Sequence, residues 1–444
     1  MSKTDATGCR QRCDRPVANG PGAFYNTGVV TPSETAGVHL LGTGLDALRG
    51  WFDARGLPSY RADQVLEWVY RKGATGFDQM TNLPKDLRRI LADRFVLYES
   101  EVLADRAAAD ETRKLLLRWP DGATSECVWI PEPDRHTACI SSQVGCPVRC
   151  TFCASGTGGL ERQLTAGQIV EQAMRIRALV EAMQPGLRGS SGLRRGATEA
   201  GREDRRAADA PGGPSPERSE AARVGKEVPW SAAPERRSRR LTNIVLMGIG
   251  EPLANYAQVV AAVRIINARW GMNIGARKIT LSTVGLPAQI RKLAEEGLQL
   301  NLAISLHAST DDLRRRLIPW AERVTIGELV EAGRYFFEKT GREVTLEYVM
   351  LAGVNMRSLD VERLARISRR MRCNVNLIPY NPVPGLGYER PDDAAIRRFL
   401  EALRGRGVNA HVRRSRGLSI DAACGQLRRA RITDVRVDAA SGMP

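Results

Sequence analysis

The sequence predicts an α/β protein: a parallel sheet curved into a full or partial (β/α) barrel, with a small helical domain ahead of it. Three observations lead there. Apolar residues recur at helical spacing between about residues 40 and 95, short apolar strands alternate with amphipathic helices beyond Cys139, and a stretch of two-residue alternation joins the two regions. At 444 residues the chain exceeds one average domain and can bury a substantial core.

The elements follow in order. Residues 1–38 are polar, carry no periodicity and lack an apolar secretion core, so they read as a disordered tail. Cys9 and Cys13 lie there, too few for a closed metal site. Residues 39–100 form the helical domain: Leu45, Leu48, Trp51 and Phe52, then Val65, Leu66, Trp68 and Val69, keep helical spacing, and a further helix is expected from Asp86 to Phe95. Its exposed Arg and Lys suit either plain packing or a grip on folded RNA. Residues 101–138 alternate around an Asp121-Gly122 turn and predict a β-hairpin linker. The barrel occupies 139–430, with strands at Ile244–Met247, Lys278–Ser282, Leu300–Ser305, Val344–Met350 and Asn374–Pro379, each with a helical partner. Its chemistry belongs at the C-terminal ends of those strands. The Gly, Pro, Ser, Arg and Ala that dominate residues 184–240 predict a disordered insertion, either solvated or lending Arg clusters to RNA. Residues 431–444 form a C-terminal tail.

Charge and cysteine usage narrow the function. Sixty-six Lys and Arg against fifty Asp and Glu leave +16, which suits a polyanionic partner. An Arg-biased composition gives the same number, and charge does not separate RNA from DNA. No apolar run reaches the roughly 18 residues of a membrane span, so a cytoplasmic protein is expected, and its nine cysteines read as ligands or catalytic thiols.

The strongest motif is Cys146-Pro-Val-Arg-Cys150-Thr-Phe-Cys153, expected after a strand and opening a helix. Three clustered thiols can hold an iron–sulfur cluster with one iron left open, although Cys139 is near enough in sequence to be a fourth ligand. The glycines of Gly248-Ile-Gly250-Glu251-Pro252 allow a close backbone approach to a ligand, and Glu251 can meet an ammonium group. Ser282, Ser305, Leu306 and His307 end the next two strands.

The cysteine spacing resembles the radical S-adenosylmethionine superfamily. The segments Tyr70-Arg-Lys-Gly-Ala-Thr, Met80-Thr-Asn-Leu-Pro-Lys, Ser141-Ser-Gln-Val-Gly-Cys146, Gly250-Glu-Pro-Leu, Ser305-Leu-His-Ala, Asn376-Leu-Ile-Pro-Tyr-Asn381-Pro and Asp421-Ala-Ala-Cys424-Gly-Gln-Leu resemble the RlmN/Cfr adenosine methyltransferases, from about Leu40 to Leu427. The resemblance implies a partial TIM-like radical S-adenosylmethionine barrel. It implies a [4Fe–4S] cluster on Cys146, Cys150 and Cys153, and S-adenosylmethionine, two per turnover, held by Gly250, Glu251, Ser282, Ser305, Leu306, His307 and Asn381. Cys424 matches the cysteine that is methylated, Cys139 the thiol that resolves the protein–RNA adduct through a disulfide, and Glu126 the proton acceptor. Cys127 and Cys373 match no role and are expected to be structural thiols. The implied substrates are 23S ribosomal RNA and certain tRNAs, methylated at adenine C2, with C8 the alternative. A monomer served by a low-potential ferredoxin- or flavodoxin-type donor is expected.

Overall fold

The computed structural model describes residues 37–183 and 240–413. The expected tails, nearly all of the insertion, and Cys424 lie outside the described residues.

After a two-residue strand β1 (Val38–His39), three helices α1 (Leu45–Asp53), α2 (Tyr60–Tyr70) and α3 (Lys85–Arg94) lead to a second short strand, β2 (Phe95–Val96). Leu48 and Phe52 of α1, Val65, Leu66 and Val69 of α2, and Leu87 and Leu91 of α3 form the shared core, which the 3.6-residue period had placed on one stripe. Trp68 departs from that pattern. It is only half-buried, and the Lys72 ammonium lies 4.2 Å from its ring centre.

Ten of the remaining strands make one open sheet in the order β14-β13-β12-β11-β10-β9-β6-β5-β4-β3. Strands β3 (Glu101–Ala107), β4 (Arg113–Arg118), β5 (Thr124–Glu132) and β6 (Arg135–Cys139) pair antiparallel. The β4–β5 turn is the expected one: Gly122 takes φ +82°, and the Ala123 amide donates to Asp121 Oδ1 at 3.1 Å. Two-residue alternation had suggested a separate hairpin, yet these strands extend the barrel sheet itself.

From β6 the sheet runs parallel through β9 (Asn243–Leu246), β10 (Ile279–Thr283), β11 (Asn301–Ser305), β12 (Val344–Met350), β13 (Cys373–Pro379) and β14 (Ala410–Val412). A short ribbon, β7 (Gln143–Gly145) with β8 (Leu160–Gln163), and helix α4 (Ala166–Ala182) follow β6. Helices α5 (Tyr256–Asn267), α6 (Pro287–Glu295), α7 (Asp311–Leu317), α8 (Ile326–Thr340), α9 (Ser358–Ser368) and α10 (Asp393–Arg404) fill the crossovers. No helix among the described residues is long and apolar enough to cross a membrane.

Side chains alternate across this sheet, so register assigns each to a face. Ile244, Leu246, Leu281, Leu302, Ile304, Leu346 and Tyr348 are buried on the helix side, where Tyr348 stacks on Phe399 of α10 with centroids 5.9 Å apart. The opposite, inner face is polar. One row across it reads Lys114, Val128, Cys139, Val245, Thr280, Asn301. Another reads Ser305, Glu347, Asn376, His411.

The helical segment seats on α4. Glycines meet there: a Cβ on Gly42 would lie 2.9 Å from the Gly167 amide nitrogen. Arg177 of α4 donates to the Tyr70 carbonyl at 2.5 Å, and His39 approaches the buried Glu171 at 3.3 Å.

Candidate active site

Cys139 closes β6, and the six residues between it and Cys146 are laced to the loop that follows β9. The Gly248 amide donates to the Ile140 carbonyl, the Ile249 amide to Ser141 Oγ, the Ser142 and Gln143 amides to the Ile249 carbonyl, and the Glu251 amide to Gln143 Oε1, at 2.7–3.2 Å. This lacing explains the glycines. A Cβ on Gly248 would lie 2.7 Å from the Ile140 carbonyl, and Gly250, at φ +115°, would drive one to 2.7 Å from Ser142 Oγ and Gln143 Cβ. The close approach they permit is therefore to protein backbone as well as to any ligand.

The cysteine loop follows β7, as expected, but it does not open a helix. Only a single 3-10 turn, Ala154–Gly156, follows it, and α4 starts after β8. Proline and a left-handed Arg149 (φ +57°) shape the loop instead, with Gly156 packed so tightly that a Cβ would sit 2.9 Å from Arg149 Cα. The Cys146 amide donates to the Gly159 carbonyl at 2.8 Å, while the Thr151 amide and hydroxyl both donate to the Leu317 carbonyl of α7. The three thiols are close enough to repel each other as thiolates. Burial, then the Cys153 thiol, push Cys146 up to about 12, and burial with both neighbours holds Cys150 well above the ordinary thiol range. Bound iron would reverse that balance by supplying positive charge, so the donor set fits a cluster held by three thiolates. No set of three or more His, Cys, Asp or Glu among the described residues converges on a single metal ion. Thiolates on separate irons of a cluster need not converge.

Glu251 is 2% exposed and has no cationic partner among the groups that govern its ionisation. Its carboxylate accepts from the Leu253 amide, the Thr283 hydroxyl and the Val284 amide at 3.0, 2.7 and 2.7 Å. Burial nevertheless outweighs these donors and raises its pKa to about 7. A buried carboxylate with donors but no cation fits an incoming ammonium group. Ser142 Oγ and Asn381 Oδ1 are likewise buried without a partner. His307 sits at φ +57° with Nδ1 accepting from the Val349 amide, so the ring proton is on Nε2. Burial first, then Arg314, depress its pKa to about 3 and keep the ring neutral. Ser282 and Ser305 are half-buried on the inner face, and Leu306 is buried. These polar atoms fit a zwitterionic, polar ligand such as S-adenosylmethionine.

Glu126 lies on β5, two residues from Val128 and so on the same face as Cys139. Because β5 runs opposite to β6, Glu126 stands level with Ser141, beyond the C-terminal end of β6, where the Ser141 hydroxyl donates to its carbonyl at 2.7 Å. Its carboxylate pairs with Lys114 at 3.3 Å, and both side chains are almost fully shielded from solvent. Cys139 is 5% exposed. Cys127 is fully buried on the other face, and Cys373 is half-buried with its thiol toward the Ser368 carbonyl.

Sequence reasoning missed three residues of this region. Lys114 left a faint signal, the second of two adjacent cations ahead of an apolar run. Glu347 is 4% exposed, accepts from Asn376 Nδ2 at 2.7 Å, and is held above the usual carboxylate range by burial against the opposing Arg413 charge. Arg314 carried no signal, since Arg315 and Arg316 follow it.

Comparison with known proteins agrees with this geometry. Residues 38–97 match the ribosomal RNA large subunit methyltransferase N-terminal domain. The chain is 40% identical over 393 residues to the probable dual-specificity RNA methyltransferase RlmN of Thermosynechococcus vestitus, covering 88% of this chain and 99% of that one. It is 39% identical over 378 residues to a protein of the same description in Thermotoga maritima, covering 85% and 93%. The crystal structure of a radical SAM methyltransferase from Sphaerobacter thermophilus superposes with a TM-score of 0.74 at 40% identity, covering 88% of this chain and 98% of that one.

Proposed function

The chain belongs to the RlmN family of radical S-adenosylmethionine RNA methyltransferases, and on that premise we propose that it methylates C2 of a specific adenosine in 23S ribosomal RNA and of an adenosine in certain tRNAs. One observation carries the reading. A shielded carboxylate, Glu126, and a buried thiol, Cys139, share one face of the sheet at the strand end from which the three-thiol loop and the Glu251 loop both leave.

The chemistry explains why such a set is needed. C2 of adenine is electron-poor, so polar attack on a methyl donor fails, and the bond must form by a radical route. When bound, the cluster with two molecules of S-adenosylmethionine and a low-potential electron donor would supply the methyl group and the one-electron hydrogen abstraction. The protein supplies the rest. Cys424 accepts the methyl on its sulfur and, after one hydrogen atom is lost from it, carries that carbon to the ring. Glu126 takes the ring proton and one electron leaves the adduct. The Cys139 thiolate then attacks the Cys424 sulfur, so that the S–S bond forms as the C–S bond breaks and the freed carbon takes up a proton to become the methyl group. Lys114 keeps the Glu126 carboxylate paired in a site closed to water.

Within the polar bowl, Cys146, Cys150 and Cys153 would hold the cluster. Glu251 would meet the cofactor's ammonium, and Gly250, Ser282, Ser305, Leu306, His307 and Asn381 would frame the rest of the molecule. The test is mass spectrometry of nucleosides from unmodified ribosomal RNA and tRNA treated with the reconstituted protein. 2-Methyladenosine in both is expected. 8-Methyladenosine would make the enzyme the C8 type, and no methylated adenosine would overturn the reading.

A further inference from the structure

A buried cation stands between the cysteine loop and the strand ends that face the cofactor. Arg314 of α7 is 1% exposed, whereas Arg315 and Arg316 beside it are exposed. Its guanidinium donates to the carbonyls of Val284, just past β10, Ser305, at the end of β11, and Val324, at 2.5, 3.4 and 3.2 Å. Its Nε has no partner, and the carboxylate whose charge reaches it, Asp311 of the same helix, makes no ion pair with it among the described residues. One helical turn on, the Leu317 carbonyl accepts both the amide and the hydroxyl of Thr151, the neighbour of Cys150. A single short helix therefore binds the cysteine loop at one turn and both cofactor-facing strand ends at another.

Removing a guanidinium from water with carbonyl dipoles as its hydrogen-bond acceptors is costly, and nearby negative charge is what offsets that cost. Asp311, three residues earlier, supplies part of that charge, and the cysteine loop is tied to the same helix one turn away, through Thr151 and the Leu317 carbonyl. We propose that Arg314 is a positioning residue that serves as the fixed counter-charge of the cluster and holds its reduction potential up. This rests on the reading that Cys146, Cys150 and Cys153 carry a [4Fe–4S] cluster. Three thiolates make such a cluster net negative, and one electron makes it more so. A fixed positive charge close by stabilises the reduced form more than the oxidised one.

The test is an anaerobic redox titration of the reconstituted full chain, followed by electron paramagnetic resonance, with iron and sulfide content measured in parallel. The wild type is compared with Arg314→Gln, which keeps donors and loses charge, and Arg314→Lys, which keeps charge and loses the fork. At a fixed potential the Gln variant should show a reduced-to-oxidised ratio about tenfold lower, equivalent to ~59 mV for a one-electron couple, while the Lys variant stays near wild type. A Gln variant that loses its cluster while the Lys variant keeps it at the wild-type potential also supports the charge role. Equal potentials in all three proteins overturn the proposal, and so does loss of cluster or of folding in both variants, which makes the fork geometry the requirement. A wild-type chain that takes up no cluster defeats the underlying reading and this inference with it.

Discussion

Replacing Glu251 by Gln tests the cofactor pocket through stability alone. The folded protein holds this carboxyl at about pH 7 against an ordinary value of 4.5, chiefly because burial disfavours the anion. A raised folded pKa means that the folded state binds the extra proton. The stabilising contribution is then fully present below the unfolded pKa and is lost as pH rises through 7. The shift corresponds to about 3 kcal/mol across that window. The Gln side chain also turns an amide toward the Val284 amide, a cost that does not change with pH. Urea unfolding of the cluster-free, cofactor-free protein, with thiols reduced, separates the two effects when run at pH 5 and pH 8. The wild type should lose about 3 kcal/mol more than Glu251→Gln between those pH values, and other titrating groups cancel in the comparison. Saturating S-adenosylmethionine should flatten the wild-type slope, because its ammonium favours the anion. An identical pH slope in the two proteins would refute the claim that Glu251 is a buried carboxylate waiting for a cation.

Two further perturbations address the neighbouring elements. Lys114→Met strands the buried Glu126 carboxylate and should cost about 3–5 kcal/mol by denaturant unfolding, with most of it recovered in Lys114→Met/Glu126→Gln; additive losses in the double variant would contradict a direct pair. Gly250→Ala combines a φ of +115° with a Cβ 2.7 Å from Ser142 and Gln143, and should lower stability by roughly 1–3 kcal/mol and weaken S-adenosylmethionine binding in calorimetry, whereas an unchanged affinity would free the loop from its assigned place.

The sequence disclosed what depends on short-range pattern. Helical spacing found α1 and α2, the Asp121-Gly122 turn found the β4–β5 corner, and the strand–helix alternation found the parallel run. The cysteine spacing and the Gly-Glu-Pro loop were visible because their residues are adjacent in the chain. What stayed hidden depends on register. Lys114 and Glu126 are twelve positions apart and meet only because β4 and β5 pair with Leu116 opposite Glu126. That Cys139 and Glu126 share a face follows from the pairing of Val128 with Cys139, which no local signal sets. Arg314 differs from Arg315 and Arg316 only in which side of α7 packs against the strand ends. The glycines of the β9 loop suggest room for a ligand, whereas the first atoms they make room for are those of Ile140 to Gln143, a segment distant in the chain.

The division of labour between two thiols bears most directly on the proposed function, and substituting each in turn decides it. Cys424→Ala has no sulfur to methylate, so neither methylated protein nor RNA-linked protein should form. Cys139→Ala still allows methyl transfer to Cys424 and bond formation to the base, but nothing remains to break the thioether. With reconstituted protein, substrate RNA and S-adenosylmethionine, the Cys139→Ala variant should accumulate as a nuclease-sensitive, slow-moving protein–RNA band on a denaturing gel, absent from Cys424→Ala. Release of methylated RNA by Cys139→Ala at the wild-type rate, with its cluster intact, would contradict the account.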